Sequence, residues 1–518
     1  MTNQSRRAFL EDVGRGMLVA SVGAVLADDL GLSPAWGGEP TATLQFGRLE
    51  PLVALMQDTP PDKLMPILVE KLKKGTELRT LVAAAALANA RSFGGDDYIG
   101  FHSFMALAPA FHMAQELPSD RAPLPVLKVI YRNTSRIQAC GGRSKEVLHP
   151  VEPADLPKDM GGRDSLQQAT RTGDMELAER TFAALARGPV GEAFNHLQFS
   201  VQDEADVHRV VLSWRAWASL DLTGQEHAHT LLRQSVRYCI DREQEAKRDG
   251  RAPNPIRALL PKLLDQYKLL GALGAAPGQR RAEDGWIDKM GMLIADSSRQ
   301  QAAEAVAAAL AEGIASEDIG AAISLAANDL LLRDPGRGAG GPADKPVGSV
   351  HGDSVGVHAS DSANAWRNIA RVSNQRNAVA SLIVGAFHTA GQSGRLNKER
   401  FPLPEHLEKV AATEPEPLLR DLEAAIKGKD QFRCCALVQR YGQLGHAPRP
   451  VFEMLLRYGI SEDGSLHAEK YYRTVSEEFD KTRPVFQWRQ LVALARVTAS
   501  EYGRPAPGYA QACELLKV

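Results

Sequence analysis

"LRTLVAAAALANA" (78–90) is matched further along by "IGAAISLAANDLL" (319–331), and this pair of small-residue segments decides the fold. Both place apolar residues at i, i+3, i+4 spacing, the period of an α-helix rather than a strand. Each follows a helical stretch that ends in glycine, "LVEKLKKG" closing at Gly75 and "VAAALAEG" closing at Gly313. The same period runs through "MELAERTFAALAR", "HRVVLSWRAWASL" and "QAAEAVAAALAE", while alternating β-branched runs are nearly absent. An all-α protein is expected, made of helical hairpins punctuated by Gly and Pro.

Carried forward, the match brings "DYIGFH" (97–102) onto "DSVGVH" (353–358). The Gly-to-His separation is 27 residues in the first copy and 45 in the second. The difference equals the Gly/Pro-rich "RDPGRGAGGPADKPVGSV" (333–350), which reads as a surface-loop insertion. A further pair aligns "ERTFAALARG", ending at Gly188, with "LRDLEAAIKG", ending at Gly428; His227 and His467 each follow 39 residues later. The chain therefore reads as two duplicated halves, 43–275 and 280–518, each of two related quarters. The expected architecture is a HEAT/TPR-like helical-hairpin array, curved or closed around a central pocket.

Each quarter carries an acidic-glycine turn and then a histidine opening the next helix. Equivalent residues of such repeats gather about a common axis, so His102, His227, His358 and His467 are expected to converge. Neutral imidazole is the commonest transition-metal ligand, and an all-His site suits iron or copper. The turn acids Asp97, Asp221 and Asp353 are placed to accept the second ring N–H. The glycines would let the turn approach closely or take a positive φ. The competing expectation is that these residues specify the turn and nothing more.

His388 ends "SLIVGAFH" where the first half has Tyr131, an asymmetry expected of a specialised duplicate. Arg233 and Arg473, each six residues beyond His227 and His467, could bind an anionic substrate, and with Tyr131 they form the candidate catalytic set. His112 lies ten residues after His102 and would face the same side. His208 and His229 sit in amphipathic helices and read as boundary residues.

Other chemistries are excluded. Gly352-Asp353-Ser354-Val355-Gly356 fits a serine nucleophile elbow, but no strand precedes it and the other quarters lack the serine. "GRGAGG" (336–341) lacks the strand and ribose acid of a dinucleotide fingerprint. The five cysteines form no C-x-x-C, C-x-x-C-H or C-x-H pattern, so thiolate zinc, c-type haem and Rieske ligands are unsupported. A net charge of −2 gives no electrostatic case for nucleic acid, and no run approaches the length of a permanent membrane span.

Two resemblances add to this. "SRRAFL" (5–10), followed by an apolar run from Gly16 to Ala27, resembles a twin-arginine export signal. It implies a signal peptide over 1–27, a linker over 28–42, and passage through the twin-arginine export machinery. Folded export to the periplasm or beyond would follow, the route of proteins that take up a cofactor first. "YIGFHSFMALAPAFHMAQELPSDRAPLPVLKVIYRNTSRIQ" (98–138) resembles a helical module of bacterial proteins, sometimes fused to a Rieske domain, and is similar to the questin-oxidase-like group. That resemblance implies oxidoreductase chemistry on a small molecule, and it carries over His102, His112 and Gln138. The expected function is an exported metal- or cofactor-dependent oxidoreductase; the alternative is a non-catalytic helical scaffold.

Overall fold

Short polar residues start the helices and glycines stop them. Asp97, Asp174, Asp206 and Asp430 each accept a hydrogen bond from the backbone N–H three residues on. That satisfies one of the four donors a helix start leaves unpaired. Gly94 (φ 56°) and Gly173 (φ 73°) end their helices in the left-handed conformation that residues with a Cβ avoid. In the computed structural model, which describes residues 43–157, 161–270, 278–338, 346–350, 354–392 and 394–518, the protein is all-α. Among the described residues there are two isolated β-bridges and no strand. None of the described helices is long and apolar enough to cross a membrane. The twin-arginine segment and the linker before residue 43 lie outside the described residues, as does Asp353.

The first half runs α1 (Glu50–Asp58), α2 (Pro61–Lys73), α3 (Leu78–Phe93), α4 (Tyr98–Gln115), α5 (Pro123–Ala139), α6 (Gly162–Thr172), α7 (Met175–Leu185), α8 (Val190–Val201), α9 (Val207–Ala218), α10 (Leu220–Thr223), α11 (Ala228–Arg248) and α12 (Ile256–Gln266). The second runs α13 (Asp284–Asp296), α14 (Arg299–Ala311), α15 (Ser316–Leu332), α16 (Val355–Val372), α17 (Gln375–Gly391), α18 (Pro404–Glu408), α19 (Pro415–Lys427), α20 (Gln431–Gln443), α21 (Arg449–Ser461), α22 (His467–Lys481), α23 (Pro484–Glu501) and α24 (Tyr509–Leu516).

Four of these helices form the centre. α4 packs on α9 and α22, and α16 packs on the same two, closing a quartet with two members from each half. A second layer repeats around it. α3 and α5 cover α4 as α15 and α17 cover α16, and α11 covers α9 as α23 covers α22. The small-residue helices α3 and α15 are buried through most of their length, which their alanines permit because backbones can approach closely. Residues 44–518 form one compact unit, so the halves share a core.

Two expectations need correction. The 333–350 insertion does not end on the surface: Ser349 and Val350 are buried, and the Val350 N–H donates to Gln431 and Ser500 side chains. The first-half helix that packs in the quartet with α4 is α9, two helices before the α11 that the 39-residue spacing points to.

The halves are tied by polar contacts as well as apolar ones. Lys128 of α5 forms an ion pair with Glu469 of α22 at 2.7 Å and donates to the carbonyls of Gly459 and Glu462 at 2.9 and 2.8 Å. Both charged groups are almost fully buried. Removing one partner of such a pair costs about 3–5 kcal/mol, because the other is left charged in a dry interior.

A four-histidine cluster where helix starts converge

The four histidines of the cluster come from the first turns of the quartet helices: His102 from α4, His208 from α9, His358 from α16 and His467 from α22. Their seating follows from local sequence. Asp97 caps α4 through the Gly100 N–H at 2.7 Å, and Ser354 caps α16 through the Val357 N–H. A Cβ on Gly100 would lie 2.5 Å from the Phe93 ring, and one on Gly356 would lie 2.5 Å from the Leu331 Cα. The glycine of the turn therefore serves close approach: it lets α4 and α16 press onto the ends of α3 and α15. Ahead of His467, Ser465 and Leu466 take left-handed φ values of 49° and 68°. For leucine that conformation is strained, and the surrounding packing must hold it.

The rings contact one another in a closed circuit. Centroid separations are 5.1 Å for His102–His467, 5.1 Å for His467–His358, 5.8 Å for His358–His208 and 4.8 Å for His208–His102. The Nε2 atoms of His358 and His467 are 3.2 Å apart. Tyr98 and Phe101 pack on both His102 and His208 and shield that side of the circuit.

One hydrogen bond fixes the chemistry of His102. Its Nδ1 lies 2.7 Å from the Tyr98 carbonyl, which can only accept, so Nδ1 carries the proton. Nε2 is then a bare lone pair, and it is buried without a hydrogen-bond partner, as is Nε2 of His208. Burial keeps these rings neutral, with help from the neighbouring Lys470 ammonium. His102 is pushed down to about 2, His208 to about 4, and His467 well below the usual histidine range. The positive ends of four converging helices act in the same direction. Beneath the rings, Lys470 and Asp361 lie one turn along α22 and α16; burial lowers the Lys470 ammonium to about 8, and burial raises the Asp361 carboxyl, which accepts from Thr474 at 2.8 Å.

The other sequence candidates lie elsewhere. His227 belongs to a single 3₁₀ turn, with its ring against Phe46 at 5.7 Å, and takes no part in the circuit; His208 stands in its place. His388 is buried on α17 and accepts from the Trp366 indole at 3.2 Å; burial lowers it to about 4. It shares with His208 the wall of a cavity of about 510 Å³, whose rim also carries Asp206, Arg242 and Gln392. Asp97 is committed to its cap and to Arg136 at 2.9 Å, while the second ring nitrogen of His102 is held by a carbonyl instead. Asp221 offers its backbone carbonyl to Arg79, and its side chain is exposed. Gln138 bonds the Gln57 carbonyl, and Tyr131 packs on Gly508. Arg233 is buried in an ion pair with Glu179 at 2.7 Å, and Arg473 pairs with Glu477 at 2.8 Å, one turn along its own helix. His112 bonds Gln115 at 3.3 Å, almost three turns from His102.

His208 was legible by one route. Aligning Gly173-Asp174 with Gly428-Lys429-Asp430 pairs α7 with α20 and leads from Pro189 and Pro450 to His208 and His467. The equal 39-residue spacing from Gly188 leads two helices too far, to the start of α11.

As placed, no group of three or more His, Cys, Asp or Glu side chains among the described residues is disposed to hold a metal ion. No protein-family model matches the chain, and neither a curated protein nor a solved structure matches it significantly.

Proposed function

We propose that the protein is a metal-dependent enzyme, an oxidoreductase, whose centre is formed by the Nε2 atoms of His102, His208, His358 and His467. The observation that supports this most is the bare, buried Nε2 of His102, whose tautomer is set by the Tyr98 carbonyl. A lone pair sealed from water without a donor is costly unless a cation shares it. The 3.2 Å between the His358 and His467 Nε2 atoms matches two adjacent ligands at about 2.1 Å from one ion. The His102 ring lies 5.1 Å from that of His467, and the His208 ring 5.8 Å from that of His358, between ring centroids. An all-imidazole donor set favours iron or copper, which would supply electron transfer to or from a substrate when bound.

The chain's own groups have defined parts in this reading. The Tyr98 carbonyl orients the His102 ring, burial keeps the His102, His208 and His467 imidazoles unprotonated, and Tyr98 and Phe101 pack over one side. Substrate would reach the His208 edge from the cavity shared with His388. Export in folded form through the twin-arginine machinery, with Arg6 and Arg7 as the recognised pair, completes the proposal. A non-catalytic scaffold would instead need its recurrent histidines facing a partner, and rings turned toward one another offer none.

The test is elemental analysis of untagged protein purified without chelators. About one iron or copper per chain is expected, falling below about 0.2 in His358→Ala and His467→Ala variants that retain their helical circular dichroism. Wild-type protein with less than about 0.2 metal per chain, before and after incubation with ferrous or cuprous ion, would overturn the proposal.

A further inference from the structure

Away from the histidines, a cavity of about 700 Å³ opens between α6, α8 and α12 of the first half and the start of α17. Its chemistry is lopsided. Arg376, half-buried, stacks on the Phe199 ring at 3.9 Å, and the Arg163 guanidinium approaches the same ring at 5.3 Å. Arg376 donates to Gln202 and to Asn377 at 3.0 Å, both neutral amides, and no ion pair is formed by Arg376 among the described residues. The other arginines of the wall are accounted for: Arg171 pairs with Asp203 at 2.7 Å, and Arg257 pairs with Glu243. Arg163 holds Asp164 only at 3.4 Å and is largely exposed. The wall also carries the apolar side chains of Ile256, Leu260 and Leu264, together with the carboxylates of Asp164, Asp203 and Asp265.

We propose that this cavity binds an organic anion, its carboxylate or phosphate on Arg376 and Arg163 and its apolar body against Leu260 and Leu264. The guanidinium fork of arginine matches either oxyanion through two parallel hydrogen bonds. Phe199 orients the fork from behind by cation–π stacking, and with Nη1 donating to Gln202 and Asn377, the Nε and Nη2 hydrogens are the ones offered to an anion. Burial, and then Arg163, lower Arg376 to about 10, opposed only in part by the Asp203 carboxylate, which itself pairs with Arg171. The site is separate from the histidine centre and does not depend on it.

Isothermal titration of the full-length protein with 3-phenylpropionate, phenyl phosphate and propionate tests this. One-to-one binding of an aromatic anion is expected, with propionate weaker for want of an apolar body. Preference for phenylpropionate identifies a carboxylate site, and preference for phenyl phosphate a phosphate site. Arg376→Gln should weaken binding at least about tenfold. Arg163→Gln, at an exposed position where folding is not at stake, should weaken it severalfold. His358→Ala should bind as wild type, which keeps this result apart from that of the metal proposal. Binding of neither aromatic anion, or equal binding by wild type and both arginine variants, overturns the inference.

Discussion

His102 shows how a single backbone carbonyl selects which nitrogen of a ring stays available. Because the Tyr98 carbonyl claims Nδ1–H, nitrogen-edited NMR of metal-free protein should report the Nδ1-protonated tautomer of His102. No titration of that ring is expected between pH 4 and 8, since burial holds it neutral to about 2. A midpoint near 6.5 would mean that water reaches it. Substitution separates the clustered ring from the expected one. His208→Ala should lose bound metal, while His227→Ala, removing a half-buried ring that touches Phe46, should keep it. At this scale the sequence was informative where a turn announced the residue. His102 and His358 follow an Asp-x-x-Gly turn, whereas His208 follows "QDEAD" and sits second in a helix whose amphipathic face gave it an ordinary role.

Helix identity was legible almost throughout, because the 3.6-residue period is written in side chains that each helix must bury. Seating was less so, because it depends on which backbone approaches which. Gly356→Ala would drive a methyl to 2.5 Å from the Leu331 Cα and push α16, with His358, away from α15. A loss of about 1–3 kcal/mol in urea unfolding is expected, together with weaker metal retention. Gly191→Ala in α8, with nothing near the added methyl, is the control; it should be neutral or stabilising by up to about 1 kcal/mol. Equal losses in the two variants would refute this account of the turn glycine. The end of the 333–350 insertion escaped sequence reasoning for a related reason. Its Gly/Pro composition signals a loop, but not that Arg496 bonds the Leu331 and Asp334 carbonyls at its base, at 2.6 and 2.7 Å.

For the molecule as a whole, the interior histidines set the response to acid. His102, His208 and His388 have folded values of about 2, 4 and 4 against 6.5 when unfolded. The unfolded chain therefore binds more protons between pH 6.5 and 4, and stability falls as pH is lowered through that window. Fully buried His388 alone contributes a loss on the order of 2–3 kcal/mol by pH 4. Lys470, lowered to about 8, has the same sign at the alkaline end: stability rises with pH from about 8 towards 10.5. Urea midpoints measured from pH 7 to pH 4 should decline steadily, and a flat profile would exclude neutral interior histidines. The quartet itself has a further meaning. His102 and His208 are 106 residues apart, and His358 and His467 are 109 apart, so each half donates a near-identical pair of rings. If the halves arose by duplication, one ancestral half would have enclosed such a cluster only as a symmetric dimer, with the rings meeting on the two-fold axis. Fusion of two copies would make that meeting intramolecular and leave the two sides to diverge, with Tyr131 in one where His388 stands in the other.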